Sequence, residues 1–215
     1  MIAIELPPEL RFNPWIVISL LLIVGVSVVV FYWQVNRWTT HRGWRALLDF
    51  AREQNFTLSR QDREPPEPLE RLPAARMTVS LESKQTKMFQ LETLAGGAVE
   101  TPRWHVLARE VPGMMWPVTG LRPTHAKASL LDLFSMKSYP GLGETERFVI
   151  FGVDSNAATL LSRSQARALL PPDVGLLLAG THLVLDFSTR PFDSIELGRM
   201  NALAEQLVTH LPAGL

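Results

Sequence analysis

The sequence predicts an α+β protein: one N-terminal transmembrane helix, then a soluble domain of small antiparallel sheets packed with helices. Three observations carry that class. Twenty-five consecutive uncharged residues separate Arg11 from Arg37. Short runs in the middle of the chain alternate apolar and polar residues, and the last third reads strand, helix, hairpin, helix. The expected division is a tail over 1–13, a transmembrane helix over 14–37 and an α+β domain over 38–215, with a sub-boundary near 112–145.

The uncharged run, at about 1.5 Å per helical residue, reaches roughly 38 Å, against a hydrocarbon core of about 30 Å. Asn13 and Pro14 suit the cap and first turn of such a helix. Trp15 at one end, and Phe31, Tyr32, Trp33 and Trp38 at the other, are expected as membrane-interface anchors, because amphipathic rings settle at the headgroup level. A cleaved signal peptide fits less well. Glu5 and Glu9 precede the run instead of a basic region, and aromatics follow it instead of small residues. Arg37, Arg42, Arg45 and Arg52 crowd the C-terminal flank while Arg11 stands alone before the run. That bias places the N-terminus outside and the domain in the cytoplasm, at the inner (cytoplasmic or intracytoplasmic) membrane, with Arg37, Arg42 and Arg45 near lipid headgroups.

His41–Asn55 predicts an amphipathic helix, separated from the apolar run by a break near Thr39 and Thr40, with Trp44, Leu47, Leu48 and Ala51 on its apolar side. A short strand is expected at Phe56–Arg60. The proline-rich segment QDREPPEPLERLP that follows is a loop. Three strands are expected at 76–81, 87–94 and 104–110, followed by an irregular connection punctuated by Pro112, Gly113, Pro117, Gly120 and Pro123. A strand at 146–154 leads to a helix capped by Asp154 or Ser155, with Ala157, Leu160, Leu161, Ala168 and Leu169 inward and Pro171 and Pro172 ending it. Two strands then turn about Ala179 and Gly180. Asp193 caps a last helix whose Ile195, Leu197, Met200, Leu203, Leu207 and Leu211 are expected to face the core.

With WHVLAREVPG and GLRP, then ERFVIFGVD, ARALLP, LVLDF and a closing helix ending HLP, the chain resembles uncharacterised bacterial single-span membrane-anchored proteins with an α+β domain. The likeness runs from Trp44 to Pro212. It implies a fold and an attachment, and brings no catalytic residues.

Basic and acidic side chains balance at 21 each, without the basic surplus of a nucleic-acid binder. No cysteine is present, which excludes thiolate metal sites and a cysteine nucleophile. His41, His105, His125, His182 and His210 never fall at helical metal-site spacing, so no metal, cofactor or catalytic residue is expected. Neither a G-x-S-x-G elbow nor an S-x-x-K motif occurs, and YPGLGETE lacks the G-K-[ST] of a phosphate loop.

These readings predict a non-catalytic accessory subunit that touches the lipid bilayer and other membrane protein subunits and stabilises a larger bacterial membrane complex. The single-span architecture is similar to that of the H subunit of a photosynthetic reaction centre, which implies a reaction centre with its light-harvesting ring, a pigment-protein complex in which the histidine-free N-terminal helix carries no pigment of its own; respiratory, secretion and envelope complexes stay open. The alternative is a membrane-tethered ligand- or peptide-binding or sensory module. For contact with a partner, the sequence offers the apolar group Met114, Met115 and Trp116, with plugging of the core as the plainer reading of the same residues.

Overall fold

The computed structural model describes residues 14–60, 64–66, 68–69, 75–93, 103–126, 129–132 and 141–211. The chain divides into two compact units, Met1–Arg45 and Ala46–Leu215. Helix α1 runs from Pro14 to Glu53 without the break expected near Thr39 and Thr40. Thr39 and Thr40 are poor helix formers by only a few tenths of a kcal/mol each, less than breaking helical hydrogen bonds would cost.

The expected transmembrane helix over 14–37 is corrected here: among the described residues no helix is long and apolar enough to cross a membrane. Instead of stopping at Arg37, α1 carries on through Arg42, Arg45 and Arg52 into the folded unit, where Leu47, Phe50 and Ala51 are buried. The proposed interface rings Trp15, Phe31 and Tyr32 are exposed on α1, as are Arg42 and Arg45. The side chains of Trp33, Arg37 and Trp38 lie outside the described residues.

Among the described residues of the unit Ala46–Leu215, the small sheets expected from the sequence are a single antiparallel sheet of nine strands. Strands β1 (Thr57–Ser59), β2 (Ala75–Glu82), β3 (Thr86–Thr93) and β4 (Arg103–Glu110) form a meander. They are followed by β5 (Trp116–Pro123), β6 (Gly141–Glu144) and β7 (Phe148–Gly152). Helices α2 (Ser155–Arg163) and α3 (Gln165–Leu169) then lead to the hairpin β8 (Gly175–Gly180) and β9 (His182–Asp186), and α4 (Ser194–His210) closes the unit. The spatial order is β1-β2-β3-β4-β9-β8-β5-β7-β6. The late hairpin therefore sits between the meander and the β5–β7 group, and welds the two into one sheet.

Alternation along β4 separates the two faces. Trp104, Val106 and Ala108 join Phe89, Leu91 and Val184 in the main apolar core, which residues from connections, Leu69, Leu130 and Leu131, also enter. His105 and Arg109 project from the other face of β4, where Arg109 meets Glu205 of α4. Asp193 caps α4 by accepting the Glu196 N–H at 2.9 Å, and Leu197, Met200, Leu203, Ala204 and Leu207 are buried along one stripe. Ile195, expected in that stripe, is 68% exposed.

Asp154 caps α2 through the N–H groups of Asn156 and Ala157. The single helix expected here is broken at Ser164, which turns extended between α2 and α3 and donates its hydroxyl back to the Leu161 carbonyl at 2.7 Å. The break resets the helical phase. Ala157, Leu161 and Ala166 are buried, while Leu160, Ala168 and Leu169 of the expected face are exposed.

Gly152 is required by close approach rather than by its dihedral angles. A Cβ there would lie 2.7 Å from the Val118 carbonyl oxygen and 3.1 Å from the Thr119 Cα, both backbone atoms of the paired strand. Gly152→Ala is expected to cost about 1–3 kcal/mol, because β5 and β7 must separate locally. Gly143→Ala, where the nearest atom is 3.9 Å away, is expected to be tolerated. Urea midpoints of the two variants check the contrast.

Candidate functional site

Among the described residues no group of three or more His, Asp or Glu side chains is placed to hold a metal ion. His125 and His210 are exposed, His105 and His182 are half-buried at opposite ends of the β4–β9 pairing, and the His41 side chain lies outside the described residues.

Where β9 leads into α4, buried polar groups concentrate. Arg190 grips Asp173 with two parallel contacts, Nε to Oδ2 at 2.8 Å and Nη2 to Oδ1 at 2.6 Å, and reaches the buried Glu196 at 2.6 Å. The hydrogen bond to Asp173 lifts the Arg190 pKa well above its ordinary value, and the guanidinium in turn holds the Asp173 carboxyl below the usual carboxylate range. His105 donates from Nδ1 to the Arg190 carbonyl oxygen at 2.6 Å, with Phe187 and Phe192 ring centroids 5.9 and 5.3 Å away. Burial among these rings lowers the His105 pKa, against smaller opposing effects of the Arg190 carbonyl and Asp186. This cluster is a clasp, with Asp173 and Glu196 both turned onto Arg190.

The His105 shift has a signed consequence for stability. Its folded-state pKa lies below the ordinary 6.5, so the unfolded chain binds more protons between the two values. Stability from the neutral ring is complete above 6.5 and is lost as pH falls from there through the folded value. Urea midpoints are expected to be lower at about pH 5.5 than at about pH 7.5, and His105→Gln to flatten that difference.

A different arrangement lies at the sheet end where β2 turns into β3. A groove of about 460 Å³ runs between the end of α1, this turn, β4 and α4. Its lining includes the carboxamides of Gln54, Asn55, Gln85 and Asn201, and the pair Arg109 and Glu205, whose Nη1 and Oε1 are 3.3 Å apart. Phe56 adds an aromatic ring, stacked on Phe50 with centroids 6.0 Å apart.

The backbone beneath the groove is fixed. Asn55 adopts φ +57, a left-handed conformation that asparagine tolerates, and this lets the Phe56 N–H reach back to the Ala51 carbonyl at 2.7 Å. At the turn, Ser83 and Thr86 exchange backbone and hydroxyl hydrogen bonds, while the Gln85 carbonyl accepts the Glu110 N–H at 2.8 Å. A smaller hollow of about 160 Å³ adjoins the same turn, near Lys87, Glu110 and His182.

Of the group expected to touch a partner, Met114 and Trp116 are buried and Met115 is 63% exposed. The groove residues were not singled out in the sequence. Their one legible signal is Asn201 and Glu205, four apart on the exposed side of α4, where a carboxamide and a carboxylate share one helix face.

No family model matches the chain, and no curated protein matches it. Among solved structures, the chain is similar to the crystal structure of the mycobacterial trehalose monomycolate transport factor A, TtfA, over 80% of this chain and 97% of that one. The identity is 11% and the TM-score 0.54, so the likeness is one of fold. The expectation of photosynthesis, a reaction centre and light harvesting is corrected on this finding, since the similar structure is a transport factor and points to no pigment-protein complex.

Proposed function

We propose that this chain is a non-catalytic accessory subunit that stabilises a larger bacterial protein complex at the inner membrane. One observation carries the reading. On α1, Leu21, Leu22, Ile23, Val24 and Val26 are each more than half exposed. Four consecutive residues at about 100° per residue cover the whole circumference of a helix, so this part of α1 has no polar face to give to water. Each such side chain gains about 1.5–3 kcal/mol when an apolar neighbour covers it. The cover belongs to neighbouring subunits, against which α1 docks while the α+β unit contributes further contacts. The description of the structurally similar protein as a transport factor fits a role of assisting other proteins.

Purification of the tagged full-length chain from its native cells in mild detergent tests the proposal. Recovery in fixed stoichiometry with larger subunits is the expected result, with Leu22→Gln/Val26→Gln reducing that recovery. A monodisperse monomer under the same conditions would overturn it.

A further inference from the structure

We infer that the groove at the β2–β3 end of the sheet binds an uncharged saccharide unit of mono- to disaccharide size. The inference goes beyond the accessory role and does not depend on it. Its first support is the pairing chemistry of the walls. Each carboxamide presents a donor and an acceptor in one plane, and a sugar presents hydroxyls that both give and accept hydrogen bonds. Four carboxamides converge here, and Gln54, Asn55 and Gln85 spend none of their side-chain hydrogen bonds on described residues. The Arg109 and Glu205 pair repeats the same donor-beside-acceptor arrangement with charge-assisted strength.

Charge and shape narrow the ligand class further. Arg109 is already neutralised by Glu205 at 3.3 Å, which leaves Lys84 as the remaining charge on the walls, too little for a phosphorylated or polyanionic ligand. Phe56, held in place by its stacking on Phe50, offers an apolar face of the kind that covers the C–H side of a pyranose ring. The groove volume of about 460 Å³ falls within the range of about 300–1,000 Å³ typical of small-ligand sites. The bonded turn and the α1 end fix the backbone of both walls in advance, so binding orders little beyond side chains.

The test uses the full-length chain and isothermal titration with sucrose, maltose, lactose and trehalose up to about 10 mM, a range suited to the weak affinities of exposed polar sites. At least one sugar is expected to bind. Gln54→Leu/Asn201→Leu is expected to weaken that binding about tenfold or more at an unchanged urea midpoint. Vesicles of phosphatidylcholine with and without a maltoside lipid separate the two sources of such a ligand. Tighter binding to the glycolipid vesicles identifies a lipid headgroup, and equal binding identifies a free saccharide. No heat with any of the sugars, or binding untouched by the double variant, would each overturn the inference.

Discussion

Arg190→Ala is expected to lower the unfolding free energy by about 3–5 kcal/mol, the range for breaking a buried ion pair from one side. The reason lies less in what arginine contributes than in what it leaves behind. The Glu196 side chain is 7% exposed and hydrogen-bonds to Arg190 at 2.6 Å. Its other cation, Arg199, stands 3.3 Å away with a side chain 68% exposed, and screening by water weakens that contact. Asp173, 41% exposed, regains solvent when Arg190 is removed and accounts for the smaller share of the loss. The double variant Arg190→Met/Glu196→Met is therefore expected to be more stable than Arg190→Ala alone, since it removes the stranded charge with its partner.

The acid limb provides an independent check on the same clasp. The Asp173 pKa is held below its ordinary 3.8, so its share of stability is present above that value and is lost as pH falls through the folded pKa. In Arg190→Ala that acid-sensitive share is expected to shrink. A loss in urea unfolding smaller than about 1 kcal/mol would show that Arg199 alone satisfies Glu196.

The sequence made most strands and both late caps legible because each carries a local signal. Alternation marks β2, β3 and β4, and Asp154 and Asp193 stand where a side-chain oxygen meets free helical N–H groups. β5 was illegible because Pro117, Gly120 and Pro123 read as loop residues. In the fold, the missing Pro117 N–H falls in the register shift between Trp116 and Thr119, where no ladder bond is required, and Pro123 is the last residue of the strand. Gly120 admits the Phe151 ring, whose nearest atom would lie 2.3 Å from a Cβ. Joining of the meander to the β5–β7 group depends on β9 pairing with β4 across some eighty residues of chain, a contact that no local pattern encodes. The groove was hidden for the same reason, since Gln54, Gln85 and Asn201 meet only after the sheet has closed.

Asp186→Ala is the second substitution expected to be severe, at about 3–5 kcal/mol, because it strands two buried donors and two half-buried ones at once. Asp186 is the last residue of β9, only 3% exposed, and each of its carboxylate oxygens serves two donors. Oδ2 accepts the Ser129 hydroxyl at 2.5 Å and the Leu130 N–H at 2.7 Å. Oδ1 accepts the Ser188 N–H at 3.1 Å and the Ser188 hydroxyl, and that hydroxyl in turn accepts the His105 N–H at 3.1 Å. One carboxylate thus ties the segment that delivers Leu130 and Leu131 to the core both to the turn after β9 and, through Ser188, to β4.

Alanine removes the acceptor but keeps the Ser129 and Leu130 donors buried, whereas Asp186→Asn retains one carbonyl oxygen and turns an amide N–H₂ toward the other pair of donors. An intermediate loss is therefore expected for asparagine. Hydrogen exchange locates the effect. The Leu130 and Ser188 amides are expected to lose protection in Asp186→Ala well before the amides of β3 do, since the carboxylate alone holds them while a full ladder holds β3. Retention of both protections, together with an unchanged urea midpoint, would mean that packing of Leu130 and Leu131 keeps the segment in place without the carboxylate.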